Sequence, residues 1–217
     1  MDTVRCASGR LASIVMRIGI LGTGNMAATL GGAWRRAGHD VLVGGRNPAS
    51  GGATLRDAAT HGELVLLAVP AQVAPPLAAD LADVLAGRVV LDCTNPLEPG
   101  PDGPMLMIPP GESVAARIAA AAPGAAVVKA FNLCHDSIWT LDPPHFEGLP
   151  LAVPYCAATP EAGERVAALI ASMGCTPAPC GGLARAPYLE ATAALAIGVW
   201  FAGGRARAIF PEPAQAT

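Results

Sequence analysis

The sequence predicts an α/β protein of the Rossmann type, in which a doubly wound, mostly parallel sheet carries a small C-terminal helical extension. Three observations lead to this prediction. Of the 217 residues, 52% are hydrophobic and only 14% are charged, a balance that suits strands buried on both faces of a sheet. Short apolar runs alternate with helix-length segments along the chain. The first of these runs ends in a glycine turn that opens a helix.

The alternation divides the chain into one main domain with short additions. Residues 1–15 are expected to be a disordered N-terminal extension, 16–157 the Rossmann domain, and 158–217 a small part that closes the site. Strands are predicted at 17–22, 41–45, 64–70, 89–96, 126–132, 151–155 and near 175–178. Helices are predicted at 26–38, 72–85, 112–121, 160–172 and 186–202. The Pro- and Gly-rich segment 96–111 is predicted to be an irregular loop, either a wall of the site or plain surface.

Charge and cysteine usage exclude several classes of function. A net charge of -3 and a pI near 5.8 provide no long-range attraction for nucleic acid or for an anionic membrane. The six cysteines show no paired spacing, so neither a metal site nor a disulfide framework is expected, and we predict a cytoplasmic protein. The apolar run 191–202 is shorter than the ~20 residues that span a bilayer. We interpret it as a packed helix. Because the apolar residues of 189–202 occupy more than one helix face, a homodimer interface is the alternative.

The segment GTGNMA (22–27) matches the glycine pattern of dinucleotide-binding turns. It directly follows the apolar strand RIGIL and opens a helix. In this context Gly22 permits a tight turn, Gly24 lets the backbone approach a pyrophosphate, and Ala27 allows close helix packing. The free N–H groups at the helix start then face the phosphates. The pattern therefore predicts a bound dinucleotide.

The end of the second strand predicts which dinucleotide is bound. NAD-selective proteins place an acidic residue there, against the ribose hydroxyls. Here the sequence is VGGRNP, with no carboxylate between Val41 and Ser50, and Arg46 stands where a guanidinium can pair with a 2′-phosphate. We therefore expect NADP(H) as the cofactor.

The ends of the next strands are candidate walls of the cofactor site. AVP (68–70) and CTNP (93–96) end two of them, so Asn95 and Pro96 either line the cofactor or simply end a strand. Asn132, near the tip of VVKAFN, is favoured as a site-lining residue. Lys129, the only lysine, is interpreted as structural, although a catalytic role stays open.

No side chain is identified as catalytic. The candidates are Asn132, His135 in the following loop, and Tyr155 as an alternative proton donor. The sequence shows no Ser-His-Asp spacing, phosphate-binding P-loop, cluster of metal ligands or Tyr-x-x-x-Lys pair. A metal is therefore not expected, and the mechanism of the common short-chain dehydrogenases is excluded.

From Met16 to Gly204 the chain resembles the coenzyme F420-dependent NADP oxidoreductases. The resemblance rests on MRIGILGTGNMAATLGGAWRRAGHDVLVGGRNP, LLAVP, DCTNP, VVKAFN and the tail from LAVPY through the last helix. It implies a Rossmann domain with a small closing part, and direct hydride transfer between NADPH and a deazaflavin. In this family a serine often precedes the arginine, where this chain has Gly45, so one phosphate hydrogen bond is in doubt.

The resemblance also implies roles for residues at the cofactor. The cofactor phosphates would be contacted by Thr23, Asn25 and Met26. The 2′-phosphate end would be contacted by Gly45 and Arg46, with Asn47 beside them. The nicotinamide would be contacted by Val69 and Pro70. The expected function is an NADPH-dependent oxidoreductase acting on a small molecule, either F420 or another organic acceptor. Two alternatives stay open, namely a tailoring reductase of imines, enones or ketones, and a non-catalytic NADP-binding sensor.

Overall fold

The computed structural model describes residues 15–48 and 52–205, which form twelve strands and seven α-helices. The strands are β1 (Arg17–Leu21), β2 (Asp40–Gly45), β3 (Ala53–Thr54), β4 (Leu64–Leu67), β5 (Val89–Asp92), β6 (Leu97–Gly100), β7 (Gly103–Leu106), β8 (Ala126–Ala130), β9 (His145–Phe146), β10 (Leu149–Pro150), β11 (Ala152–Ala157) and β12 (Thr176–Gly182). The helices are α1 (Asn25–Arg36), α2 (Leu55–His61), α3 (Ala74–Asp80), α4 (Ala82–Leu85), α5 (Val114–Ala121), α6 (Pro160–Ser172) and α7 (Ala186–Phe201). Short 3₁₀ turns cover Asp136–Thr140 and Leu183–Arg185.

Eight of the strands form one twisted sheet at the centre of the molecule. Their order is β12-β11-β8-β5-β4-β1-β2-β3, and every pair is parallel except β11 with β8. From β3 to β8 this is the Rossmann order, and β11 and β12 extend it at one edge. The predicted fold class is therefore confirmed, including the C-terminal helix.

The sheet is covered on both faces, which explains its apolar strands. One core lies beneath α1 and α6, with Leu30 and Val166 among its members. The other lies beneath α2, α3 and α5, with Ala58, Ala78 and Ile118 among its members. Every residue of β4 and β5 is buried, since neither face of these strands meets solvent.

Three central strands end earlier than the sequence predicts. The predicted strands 64–70, 89–96 and 126–132 leave the sheet after Leu67, Asp92 and Ala130, respectively. At the second of them, Asp92 Oδ1 accepts the backbone N–H of Thr94 at 2.8 Å, so a side chain replaces the neighbouring strand as hydrogen-bond partner. The residues beyond these ends are thereby freed to form one edge of the sheet.

The prediction that 96–111 is irregular is wrong for most of the segment. Leu97–Gly100 and Gly103–Leu106 form the antiparallel hairpin β6–β7, in which Pro99 lies opposite Pro104. A two-stranded ribbon leaves one edge of each strand unpaired, so proline there need not cost a ladder hydrogen bond. The hairpin packs against α7.

The predicted helix 72–85 is two helices. Leu81, with φ -113, leaves helical geometry between α3 and α4. The Asp80 carbonyl accepts a hydrogen bond from the Arg56 guanidinium at 3.2 Å, and Val84 N–H bonds back to Leu81 in the tighter i→i−3 pattern. A side chain from α2 therefore takes a carbonyl near the break.

Helix α7 is apolar around much of its circumference, as the sequence shows. Leu189 and Ala193 are buried against the fold, whereas Leu195 and Phe201 are exposed. The predicted homodimer stays a prediction, as does the domain boundary at 157. No helix in the described part of the chain is long and apolar enough to cross a bilayer. The predicted N-terminal extension lies outside the described residues, apart from Val15.

A buried histidine joins the start of the sheet to α6. His39 Nδ1 accepts the Met16 N–H at 3.2 Å, and its Nε2 lies 2.8 Å from Ser172 Oγ. Ser172 Oγ in turn donates to the Leu169 carbonyl at 2.7 Å. The ring therefore serves as acceptor on one side and donor on the other, which is the neutral form. Burial lowers the pKa of His39 below its ordinary value of 6.5.

This lowered pKa predicts a loss of stability in mild acid. Because the unfolded chain binds a proton at higher pH than the folded one, His39 favours folding above pH 6.5, and this contribution falls as the pH drops through 6.5 to the folded pKa. His39→Gln keeps an acceptor and a donor but does not titrate. Urea unfolding from pH 7.5 to 5.5 should show a steeper loss for the wild type, by at most about 1.4 kcal/mol per pH unit. Parallel curves for the two proteins would contradict this role.

Candidate cofactor site

The glycine turn after β1 is shaped by a close approach of two backbones. Gly22 has φ +126, and its N–H donates to the Gly44 carbonyl at 2.9 Å. A Cβ at this position would stand 2.2 Å from the Ala68 carbonyl oxygen. Gly22 is therefore required by the fold itself. Gly24 differs, since it has an ordinary φ of -79 and a Cβ there would meet nothing within 4 Å among the described atoms.

Helix α1 begins at this turn with its N–H groups available. Gly24 is the N-cap residue; no side chain caps the helix, and its described first turn contains no acidic residue. The first N–H groups of α1 therefore have no partner within the helix and carry its positive dipole end. Thr23, Gly24 and Asn25 are all exposed. The open space at Gly24 thus adjoins a start of a helix that suits an anion, and it fits a pyrophosphate.

Arg46 lies across a cavity from the glycine turn. The cavity has a volume of about 370 Å³ and is lined by Thr23 together with Val43, Gly45, Arg46, Asn47, Pro48, Gly52 and Ala53. Arg46 and Asn47 are exposed. A Cβ on Gly45 would lie 3.1 Å from the Thr23 methyl group, so Gly45 faces Thr23. The structure thus brings Thr23, one of the predicted phosphate residues, to the same cavity as Gly45, Arg46 and Asn47.

The ends of β4 and β5 continue the same edge of the sheet. Val69 Cγ1 lies 3.4 Å from the position of a Cβ on Gly22, so Val69 stands beside the glycine turn, and Pro70 next to it is exposed. Pro96 is buried, and its carbonyl accepts the Met107 N–H at 2.8 Å. A second cavity of about 280 Å³ touches Pro96 and is bounded by α3 and α5.

Asn95 and Asn132 form a reciprocal amide pair between the ends of β5 and β8. Asn95 Nδ2 donates to the backbone carbonyl of Asn132 at 2.8 Å. Asn132 Nδ2 donates to Asn95 Oδ1 and to the Leu189 carbonyl, each at 3.0 Å. Because backbone carbonyls only accept, both amides have a fixed orientation. Asn132 Oδ1 is buried with no hydrogen-bond partner among the described residues.

The backbone is strained immediately before Asn132. Phe131 has φ +64, a conformation that bulky side chains rarely adopt. Its buried ring packs edge-to-face against Trp34 and Trp139. The distances between ring centroids are 5.7 Å to Trp34 and 5.4 Å to Trp139. Packing of this ring holds a left-handed turn that redirects the chain after β8, and strain of this kind is common at functional sites.

Two comparisons with known proteins point to the same family. Residues 17–96 match the model of a family described as NADP oxidoreductase coenzyme F420-dependent. The crystal structure of a candidate F420-dependent NADP reductase from Arthrobacter sp. FB24 superposes with a TM-score of 0.78 and 29% identity, covering 88% of this chain and 96% of that one. The stretch from β1 to the residues just after β5 therefore has the sequence pattern of this family. The resemblance predicted from the sequence is confirmed.

Two other relatives extend the comparison. A hypothetical protein from Sinorhizobium meliloti has 26% identity and a TM-score of 0.67, over 78% of this chain and 87% of its own. The metalloreductase STEAP3 of Rattus norvegicus is 31% identical over 197 residues, which are 85% of this chain. Those residues make up 38% of the rat protein, so the chain spans less than half the length of that curated relative.

A buried ion cluster adjoins the amide pair. Lys129 Nζ lies 2.9 Å from Asp92 Oδ2 and 2.9 Å from Glu190 Oε1, and all three side chains are inaccessible to solvent. Burial alone would lower the pKa of Lys129, but the two carboxylates outweigh it and raise that pKa above its ordinary value. Burial also raises the pKa of Glu190, against the opposing effect of Lys129.

The predicted proton donors lie elsewhere in the structure. His135 is exposed, with Nδ1 2.9 Å from Asp136 Oδ1. Tyr155 is buried in the core beneath α6, where its ring approaches Gly163. Their catalytic roles, and that of Asn132, stay predictions.

Sequence reasoning missed Asp92 and Glu190. The available signal was that Asp92 and Glu190 are each the single acidic residue of an apolar segment. Lys129, the single basic residue of a third apolar segment, could have been paired with them.

The two glycines of the turn should respond differently to the same substitution. Gly22→Ala places a methyl group against the Ala68 carbonyl, so urea unfolding should show a loss of about 2 kcal/mol or more. The free energy of unfolding of Gly24→Ala should be within about 0.5 kcal/mol of that of the wild type. Its methyl group nevertheless enters the space that fits the pyrophosphate, so fluorescence titration should show weaker NADPH binding. Unchanged NADPH affinity in Gly24→Ala would argue against a phosphate at this turn.

Proposed function

We propose that the protein is an NADPH-dependent oxidoreductase that transfers hydride between the nicotinamide and a small organic acceptor, with the deazaflavin F420 as first candidate. The observation that carries the proposal is that Thr23, directly before the uncapped start of α1, shares one cavity with Arg46. The match of residues 17–96 to a family described as NADP oxidoreductase coenzyme F420-dependent supports it.

The cofactor would lie along the carboxyl edge of the sheet. The N–H groups at the start of α1 would receive the pyrophosphate, and Thr23, Asn25 and Met26 would flank it. The Arg46 guanidinium would pair with the 2′-phosphate, because no carboxylate stands in 41–48 to favour a free ribose hydroxyl. When bound, NADPH supplies the hydride that the reaction transfers.

The residues at the nicotinamide end would act mainly by positioning. Val69 and Pro70 would give the ring an apolar wall, and Pro96 would close the side towards α3. Asn95 is held by Asn132 on a backbone that cannot shift without breaking their paired hydrogen bonds. Direct hydride transfer requires the donor and acceptor carbons to be aligned and water to be excluded, so it needs no obligatory acid/base pair.

Arg46→Ala should weaken NADPH binding roughly ten- to a hundredfold, because it removes charge-assisted hydrogen bonds to the 2′-phosphate. NADH lacks that phosphate, so its affinity should change much less. Isothermal titration with both cofactors measures the difference. Arg165→Ala, at an exposed arginine on α6, is the matched control and should leave both affinities as they are. Equal losses for NADPH and NADH in Arg46→Ala would refute the NADP assignment.

The acceptor should be found by following NADPH oxidation with one compound from each class. The expected result is turnover with F420, with little or none for a free flavin or a chelated transition metal. Preferred turnover of an imine, enone or ketone would instead support a tailoring reductase. The metal chelate is included because the rat relative is named a metalloreductase. Tight NADPH binding with no turnover in any class would favour a non-catalytic sensor.

A further inference from the structure

Lys129 is the centre of the polar contacts at the ends of β5 and β8. Its ammonium group has three N–H donors and meets three acceptors, namely Asp92 Oδ2, Glu190 Oε1 and the backbone carbonyl of Thr94. The side chain is wholly buried. No N–H of Lys129 is left to reach a substrate, so its role is not that of a proton donor.

Through Thr94, Lys129 fixes the chain directly after β5. The Thr94 carbonyl accepts from Lys129, and the Thr94 N–H donates to Asp92 Oδ1 at 2.8 Å. Both backbone polar groups of Thr94 are therefore held by members of the ion cluster. Asn95 is the next residue along the chain, so the cluster sets the position from which its side chain extends.

Through Glu190, Lys129 fixes helix α7. The two carboxylate oxygens of Glu190 accept the N–H of Val114 at 3.1 and 3.2 Å, at the start of α5. Glu190 thus joins α7 to both β8 and α5. The preceding residue, Leu189, provides the carbonyl that accepts from Asn132.

The two routes meet at the amide pair. Asn95 follows Thr94, whose carbonyl accepts from Lys129. Asn132 donates to the carbonyl of Leu189, which directly precedes Glu190, the α7 partner of Lys129. We propose that Lys129 is a positioning residue, which fixes the Asn95–Asn132 pair at the nicotinamide end by tying the ends of β5 and β8 to α7. The proposal rests on the proposed function, because that function puts the nicotinamide at this edge of the sheet.

Testing the proposal requires removing the cation without leaving charges unpaired. Lys129→Met alone would leave Asp92 and Glu190 buried together without their cation, and the chain could unfold for that reason. The informative variant is Lys129→Met combined with Asp92→Asn and Glu190→Gln, which is neutral and close to the original volume. The new amide oxygens at positions 92 and 190 can still accept the N–H groups of Thr94 and Val114, respectively. The Thr94 carbonyl alone loses its partner outright.

The control is Arg56→Met, which also replaces one cation of an ion pair. Arg56 lies 2.7 Å from Asp83, and both side chains are largely exposed. Exposed pairs of this kind contribute little to stability. This variant should match the wild type in 2′,5′-ADP affinity, nicotinamide anisotropy and kcat.

The measurements separate the two halves of the cofactor. Affinity for 2′,5′-ADP reports the adenine half, the fluorescence anisotropy of bound NADPH reports how firmly the nicotinamide is held, and kcat reports hydride transfer. A thermal melt shows whether each variant is folded. For the triple variant we expect 2′,5′-ADP affinity within about twofold of the wild type, lower nicotinamide anisotropy, and kcat reduced roughly ten- to a hundredfold.

Two results would overturn the proposal. One is a folded triple variant whose anisotropy and kcat equal those of the wild type. The other is a parallel loss of 2′,5′-ADP and NADPH binding, which would make the cluster purely structural.

If the triple variant does not fold, Glu190→Gln decides in its place. Its single amide oxygen serves Lys129 and Val114 less well than two carboxylate oxygens, so nicotinamide anisotropy should fall while 2′,5′-ADP affinity holds. Unchanged anisotropy would overturn the proposal. If the wild-type protein binds NADPH but none of the tested acceptors supports NADPH oxidation, the proposed function is refuted. The anisotropy of bound NADPH would still test the positioning role of Lys129.

Discussion

A single ammonium group, inaccessible to water, connects the carboxyl ends of β5 and β8 to the C-terminal helix. Lys129 is surrounded by two carboxylates and a backbone carbonyl, which come from the end of β5, the residues just after it, and α7. Removing one partner of a buried ion pair typically costs about 3–5 kcal/mol, which is a large part of the ~5–15 kcal/mol that stabilises a domain. The fold and one end of the site therefore depend on the same few atoms.

The geometry of the glycine turn and its closeness to Arg46 could be predicted because their signals are local. The apolar strand, the glycine turn, the helix and Arg46 all lie within one short stretch of chain, and each residue type is required by a backbone constraint or a charge that can be stated without the structure. Gly22 illustrates this, since its positive φ and its approach to Ala68 follow from the tight turn that the spacing predicts. The fold class followed from the same periodicity, since buried parallel strands are apolar throughout.

The ends of β5 and β8 depend on contacts between distant residues. Asp92 and Lys129 are 37 positions apart, and Val114 and Glu190 are 76 apart, so no local pattern pairs them. The hairpin β6–β7 differs from the predicted loop because proline and glycine, which are typical of irregular structure, are both tolerated in a two-stranded ribbon. Asn132 is a predicted site-lining residue, but its orientation depends on the Leu189 carbonyl of α7, which only the tertiary structure brings near it.

The aromatic packing around Phe131 gives α1 a second task. This helix starts at the glycine turn, yet Trp34 near its other end supports the strained residue that directs Asn132 into place. Helix α1 thus connects the glycine turn, where the phosphates of the proposed cofactor would lie, with Phe131, next to the proposed position of the nicotinamide. Under the proposed function, a change in the last turn of α1 would therefore act on the acceptor end of the site without altering the residues that face the phosphates.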